Sequence, residues 1–244
     1  MSQAFENVPV KNMFCGFVDV LGFGAVTLKD HQGAVEVYER FLEHFETVSS
    51  GFKREDGKIS VYSDAFIILS EYLGYVIQAA HLLSWLMLME DFLVRGGIAY
   101  GPHVAVERGG AMLTVSAALT KAVQLEKRVK RPCVVIDDGI ELPDALWFEQ
   151  RIPSTPVLYF DGLRIVSPFG VVWFRSAGSR VRRLLKMYPE HADKYKWFLR
   201  LYDAVNRREL LRPPDIIERY NITRHESEGP VFPEDVEIDR DLLH

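Results

Sequence analysis

From Tyr72 to Met89 the chain runs 18 residues without a formal charge. A helix that is apolar on most sides must be covered on most sides, so this segment demands either a sheet and other helices packed around it or a bilayer. Gln78, His81 and Ser84 lie inside the run, and Glu71, Glu90 and Asp91 bracket it. Those polar groups favour a helix buried in a core or an interface over a stable membrane span. The N-terminus shows no charged stretch leading into an apolar one, so no signal peptide is expected and the cytoplasm is the default location. The 244 residues, 48% hydrophobic and 26% charged, are enough to build such a core.

The segments on either side say what covers the helix. Phe14 to Val20 reads as a buried strand ending in the Gly-rich turn Leu21-Gly22-Phe23-Gly24. Between Asp30 and Val48, Val35, Val37, Tyr38, Phe41, Leu42 and Phe45 recur at helical spacing, and Ser49-Ser50-Gly51 stops that helix. Ile59 to Leu69 is β-branched and aromatic but broken by Ser63-Asp64, which predicts a hairpin with the polar pair at its turn. The uncharged helix is expected to run from Tyr72 to Val94, up to Gly96-Gly97. A strand over 97–106, a hairpin tip at 107–110, a helix capped by Ser116 and running to Val129, and a strand over 133–136 follow. The order β-α-β-β-α-β predicts an α+β fold of the ferredoxin-like type. Beyond Gly139 short strands are expected near 157–159, 164–166 and 171–174, then a helical region over 180–208 broken near Pro189. From Pro213 the polar, Pro-containing, finally acidic chain reads as an extended arm.

A net charge of -5 and a pI near 5.8 argue against a partner that is a nucleic acid backbone, though a local basic pocket remains open. Cys15 and Cys133 sit in apolar runs and read as buried free thiols. The seven histidines show no ligand spacing, and Arg180 to Arg183 reads as a solvated helix face.

Two carboxylates stand out. Asp19 lies inside the first apolar strand and Asp64 inside the apolar hairpin. A lone buried charge is costly, so each is expected to be paired, capped or metal-bound. In a βαββ layout the two strands are sheet neighbours, and the acids converge at one edge. Such a pair suits a clamp on two ions about 3.5–4 Å apart. The turn Gly22-Phe23-Gly24 after Asp19 reads either as a phosphate cradle or as a plain strand-to-helix turn.

Four blocks, in order over residues 14 to 128, resemble the class III nucleotidyl cyclases. They are Phe17-Val18-Asp19-Val20-Leu21-Gly22-Phe23, then Tyr62-Ser63-Asp64, then Arg95-Gly96-Gly97-Ile98-Ala99-Tyr100-Gly101, and Ser116 to Glu126. The resemblance implies a ferredoxin-like cyclase core over residues 10–178, with a C-terminal helix and tail over 179–244. It implies Asp19, Asp64 and the Val20 carbonyl as ligands of two Mg²⁺ or Mn²⁺ ions, and a nucleoside triphosphate cyclised by its own 3′-hydroxyl. It places Gly22, Phe23, Gly24, Ser60, Tyr62 and Leu113 at the substrate. It also implies a homodimer, with the acids of one subunit facing the helix of the other.

The chain departs from that family where charge and base are read. Thr120 and Gln124 stand where the family has Asn and Arg; they share a helix face but bring no charge. Losing a charge-stabilising donor typically costs about 3–4 kcal/mol at a transition state. Lys121, Arg95 and Arg175 are the candidate replacements. Ser60 and Leu113 match neither the adenine-reading nor the guanine-reading residues, and a site that hydrogen-bonds one base edge rejects others. On those departures the chain resembles the bacterial Pycsar cyclases of antiphage defence, which implies UTP or CTP as substrate and cyclic UMP or cyclic CMP as product. A purine cyclase with unusual base readers and a non-catalytic nucleotide-binding module are the alternatives.

Overall fold

The computed structural model describes residues 8–49, 57–143, 146, 156–170, 174–207 and 211–219. In its sheet β1 (Lys11–Val20) is flanked antiparallel by β3 (Ala65–Ser70) and β4 (Val94–Arg108). β2 (Lys58–Tyr62) pairs with the outer edge of β3. The order β2-β3-β1-β4, all antiparallel, is the ferredoxin-like arrangement that the element order predicts. β4 continues past the sheet into a hairpin with β5 (Ala111–Ser116), and β6 (Val134–Ile136) joins it in parallel. β8 (Leu163–Val166) and β7 (Val157–Phe160) complete the sheet.

The two faces of the sheet carry different loads. Alternate residues of β1 point opposite ways, so Val18 and Val20 leave one face while Phe17 and Asp19 leave the other. On the first face lie α2 (His31–Ser49) and α3 (Leu73–Met89). Val18, Val20, Phe66, Ile68 and Ile98 pack there against Phe41, Val76, Ile77, Ala80, Leu83 and Met87. The uncharged segment is thus a core helix, buried around most of its circumference. No helix among the described residues is long and apolar enough to cross a membrane. On α2 the buried stripe is Ala34 and Phe41, with Val37, Tyr38 and Phe45 partly covered, while Val35 and Leu42 remain exposed.

α4 (Ala117–Val129) crosses the second face. Ser116 caps it, its hydroxyl accepting from the Leu119 amide at 3.1 Å. Ala122 and Leu125 lie on Ala99 and Phe17, over Gly97. A second core lies at the β6-β8-β7 end, where α5 (Phe174–Met187) and α6 (Ala192–Asn206) pack Val181, Trp197, Phe198 and Leu201 onto Val135, Leu158 and Ile165.

Several expected boundaries move. The core helix stops at Met89, because Glu90 and Asp91 turn the chain, Asp91 at φ +65°, and residues from Val94 belong to β4. A short helix, α1 (Phe23–Lys29), precedes α2. Phe174, expected in a strand, opens α5; the rest of that expected strand, 171–173, lies outside the described residues. The helical region begins at 174 rather than 180, and the break at Pro189 is a 3₁₀ turn over Pro189–His191. Pro214–Arg219, expected to be extended, forms a short helix, α7; residues 220–244 lie outside the described residues.

Candidate active site

Backbone pairing brings the two singled-out acids to one end of the sheet. Asp19 faces Ala65 across the β1–β3 ladder, and the Val20 amide donates to the Asp64 carbonyl at 2.8 Å. Asp64 is the second residue of the tight β2–β3 turn, whose first residue, Ser63, takes φ +55°. That left-handed conformation is unfavourable for a residue with a Cβ, so something must hold the turn. The Tyr38 hydroxyl of α2 donates to the Ser63 carbonyl. Burial, and then the charge of Asp64, push the Tyr38 hydroxyl up to about 12, so at neutral pH it is a donor.

The side chains of the acids are drawn in different directions. Asp64 reaches toward the loop after β1, where a Cβ on Gly24 would lie 3.4 Å from its Oδ2. Asp19 points to the α4 face. There Arg95, its register partner on β4, donates from Nε to Asp19 Oδ2 at 2.8 Å and forms an ion pair with Glu126 Oε1 of α4 at 2.7 Å. Oδ2 is thus engaged by an internal cation. Among the described residues no group of three or more His, Cys, Asp and Glu side chains could hold a metal ion. What the sheet end offers is two carboxylates, neighbouring main-chain carbonyls and a side-chain-free Gly24 beside Asp64. Oxygen-only donors with few protein ligands fit Mg²⁺ or Mn²⁺, which keep water or substrate oxygens in their remaining positions.

The loop between them is shaped by Gly22 at φ +81°, the residue before α1, where no side-chain cap is present. Phe23, expected at the substrate, is 3% exposed and packs edge-on against Tyr38 and Phe92, so it anchors the loop from beneath. Only Gly22 and Gly24 of that trio leave the backbone bare of side chain.

Register also sorts the remaining candidates. Tyr62, Ala65, Asp19 and Arg95 form one row across the α4 face, and Ser60, Ile67, Phe17 and Gly97 form the next. Tyr62 is 60% exposed on this row and Ser60 is half-buried. Leu113 is elsewhere, opposite Val106 on the projecting β4–β5 hairpin, nine residues along β4 from Gly97. Thr120 and Gln124 lie exposed on the outer face of α4, away from the sheet, and the Thr120 hydroxyl bonds back to the Ser116 carbonyl at 2.9 Å. Lys121 is turned to the Tyr100 carbonyl at 3.3 Å.

Other sequence readings are settled by contacts. Ser116 is a helix cap. Arg180 and Arg183 are not a purely solvated face: both bind Asp91, and Arg180 also donates to the Met89 carbonyl. Both cysteines are buried and free. His81 is held at Nδ1 by the Ser167 carbonyl at 2.7 Å, whereas the buried His103 Nδ1 has no hydrogen-bond partner among the described residues.

No family profile matches the chain, and no curated protein matches it. Among solved structures it is similar to the adenylyl cyclase CyaB from P. aeruginosa, at 13% identity over 54% of this chain and 79% of that one, with a TM-score of 0.43. It is similar to the guanylyl cyclase Cya2 at 12% identity over 67% and 95%, with a TM-score of 0.44. A class III adenylyl cyclase-like ATP-binding protein from Pseudomonas aeruginosa overlays at 11% identity over 55% and 36%, with a TM-score of 0.41. These likenesses are distant, with TM-scores below 0.5.

Proposed function

We propose that the chain is a nucleotidyl cyclase that converts UTP or CTP to the 3′,5′-cyclic mononucleotide and diphosphate, the product serving as an antiphage signal. On this reading residues 10–178 form the catalytic unit and residues 179–244 its extension. The observation that carries the proposal is that Asp19, opposite Ala65, and Asp64, whose carbonyl accepts from the Val20 amide, lie at one sheet end beside the loop opened by Gly22 and Gly24. Asp19 and Asp64, with the Val20 carbonyl, would hold two Mg²⁺ or Mn²⁺ ions. Bound there, the ions supply activation of the ribose 3′-hydroxyl and neutralisation of triphosphate charge.

The chain's own residues do the rest. Tyr38 fixes the turn that presents Asp64, and Arg95 orients Asp19. The exposed Thr120 and Gln124 are aimed outward, which suits contact with substrate held by a second copy in a homodimer. Neither brings a charge to the transition state; among the described residues Arg95 is the cation that lies beside Asp19, at 2.8 Å. Ser60 presents a short hydroxyl where the resembled family carries a Lys or a Glu to read the base, which leaves room for a base other than adenine or guanine. The resemblance to the Pycsar cyclases supports the pyrimidine choice.

A product assay tests the proposal. Purified protein with Mn²⁺ is given ATP, GTP, CTP and UTP separately, and products are identified by mass. A cyclic mononucleotide from UTP or CTP is expected, and it falls at least about 100-fold in Asp64→Ala, the scale of losing one electrostatic anchor of a transition state. Product from ATP or GTP alone overturns the pyrimidine assignment. Undiminished turnover in Asp64→Ala removes the metal assignment.

A further inference from the structure

Arg95 stands between two acids that come from different elements. Its Nε lies 2.8 Å from Asp19 Oδ2 and 2.7 Å from Glu126 Oε1. Glu126 is 6% exposed and comes from the inner face of α4, beside Leu125; Asp19 is 17% exposed and Arg95 35%. A carboxylate as buried as Glu126 needs a countercharge, and Arg95 supplies it. The three groups together carry one net negative charge. With a single guanidinium shared by two carboxylates, neither is fully neutralised. The engaged oxygen of Asp19 is Oδ2; among the described residues no hydrogen bond engages Oδ1, the oxygen that would face a cation.

We propose that Arg95 and Glu126 together set how much negative charge Asp19 retains for a divalent cation, the guanidinium withdrawing part of it and Glu126, by sharing that guanidinium, giving part of it back. The proposal rests on the reading above in taking Asp19 as a cation ligand. Residues that contact metal ligands commonly tune affinity 10- to 100-fold, so the pair is placed to act on binding rather than on the fold alone. The sign of each effect follows from charge. Removing the Glu126 charge leaves the guanidinium to Asp19 alone, and the cation is held more weakly. Removing the Arg95 charge leaves two carboxylates side by side, and the cation is held more tightly.

The test is Mn²⁺ binding to the nucleotide-free full chain, read from the electron paramagnetic resonance of unbound Mn²⁺. Glu126→Gln is expected to weaken binding about 10-fold, and Arg95→Gln to strengthen it by a similar factor. The double variant restores the net charge of the trio and is expected within about 3-fold of wild type. A general loosening of the structure moves all variants the same way, so opposite signs are the signature. Should Arg95→Gln fail to fold, the double variant still binds about 10-fold more tightly than Glu126→Gln if the proposal holds, and equally if it does not. Wild-type binding in Glu126→Gln overturns it, as does binding unchanged in Asp19→Asn. The outcome is separable from the cyclase reading. Product from wild type with a flat Mn²⁺ series removes the charge sharing and leaves the reading. The full Mn²⁺ pattern with no product from any nucleotide removes the reading and leaves the charge sharing.

Discussion

Replacing Gly97 by alanine probes the contact that seats α4, and with it Glu126, on the sheet. Gly97 is buried near the start of β4, opposite Phe17 on β1 and Val135 on β6. α4 passes so close that a Cβ at this position would meet the Ala122 carbonyl oxygen and sit 2.7 Å from the Leu125 Cβ. Carbon atoms rest about 3.5–4.0 Å apart, so α4 must retreat by about 1 Å. Backbone cannot swing aside as a side-chain tip can, and the retreat strips contacts from Ala118, Ala122 and Leu125 together. Overpacking of this kind costs about 1–3 kcal/mol. For a chain of this size each kcal/mol moves the melting temperature by about 2–4 °C, so Gly97→Ala should melt about 2–12 °C below wild type in a calorimetric scan. Gly74 is the control. It lies near the start of α3 with nothing within 4 Å of its would-be Cβ. There the substitution only restricts the unfolded chain and should stabilise by about 0.4–1 kcal/mol. A Gly97→Ala protein melting within about 1 °C of wild type, or a Gly74→Ala protein losing as much as Gly97→Ala, would refute the close seating of α4.

Two further outcomes follow from buried ionisable groups. Burial pushes the Cys15 thiol up to about 12 and raises that of Cys133 as well, so neither is a thiolate at pH 8. Ellman's reagent should find no thiol in the native protein and two after denaturation; one rapid native equivalent would show that a cysteine is open to solvent. The Tyr38 hydroxyl, ordinarily near 10 and here about 12, favours its protonated form in the folded state. Its contribution to stability is therefore complete below about pH 10 and is lost as pH rises toward 12. Tyr38→Phe should cost about 1 kcal/mol at pH 7, through the lost bond to Ser63, and flatten the alkaline decline seen by urea unfolding. An unchanged alkaline slope would remove Tyr38 as its source.

The features legible in the sequence were those written in local pattern. Ser63-Asp64 broke an apolar stretch, and the hairpin turns there. Ser116 preceded a run with apolar residues at helical spacing, and it caps α4. The end of α3 was illegible because no Gly or Pro falls between Met89 and Gly96, so apolar Phe92, Leu93 and Val94 read as more helix. Only the left-handed turn at Asp91 separates them. Phe174 misled for a related reason, since a short aromatic and β-branched run has no period long enough to tell strand from helix. The site contacts that escaped notice act across the fold. Arg95 and Glu126 are 31 positions apart, and their contact appears only once the β1–β4 register and the seating of α4 are known. One signal was available: the spacing 118, 122, 125, 126 puts Glu126 on the inward face of the helix, where an acid needs a partner. Tyr38 was hidden in the apolar stripe of α2, where its ring reads as core and its hydroxyl goes uncounted.

The C-terminal helices belong to the same physical problem as the site. A cut after residue 178 runs through α5, and Val181, Trp197, Phe198 and Leu201 beyond it share one core with Leu88, Leu93, Val135 and Leu158 before it. Leu21, the residue that follows β1, also packs against that core. The turn from α3 into β4 joins the two regions. Its Asp91 is bound by Arg180 and Arg183, its Phe92 lies 5.4 Å from the Phe23 ring, and its Leu93 carbonyl accepts from the Leu21 amide at 2.8 Å. The loop bearing Gly22 and Gly24 is therefore braced on its inner side by a turn that α5 itself braces. The bare glycine backbone gives that loop the space to meet a ligand and little stiffness of its own. The stiffness must come from behind, and in this chain the extension supplies part of it.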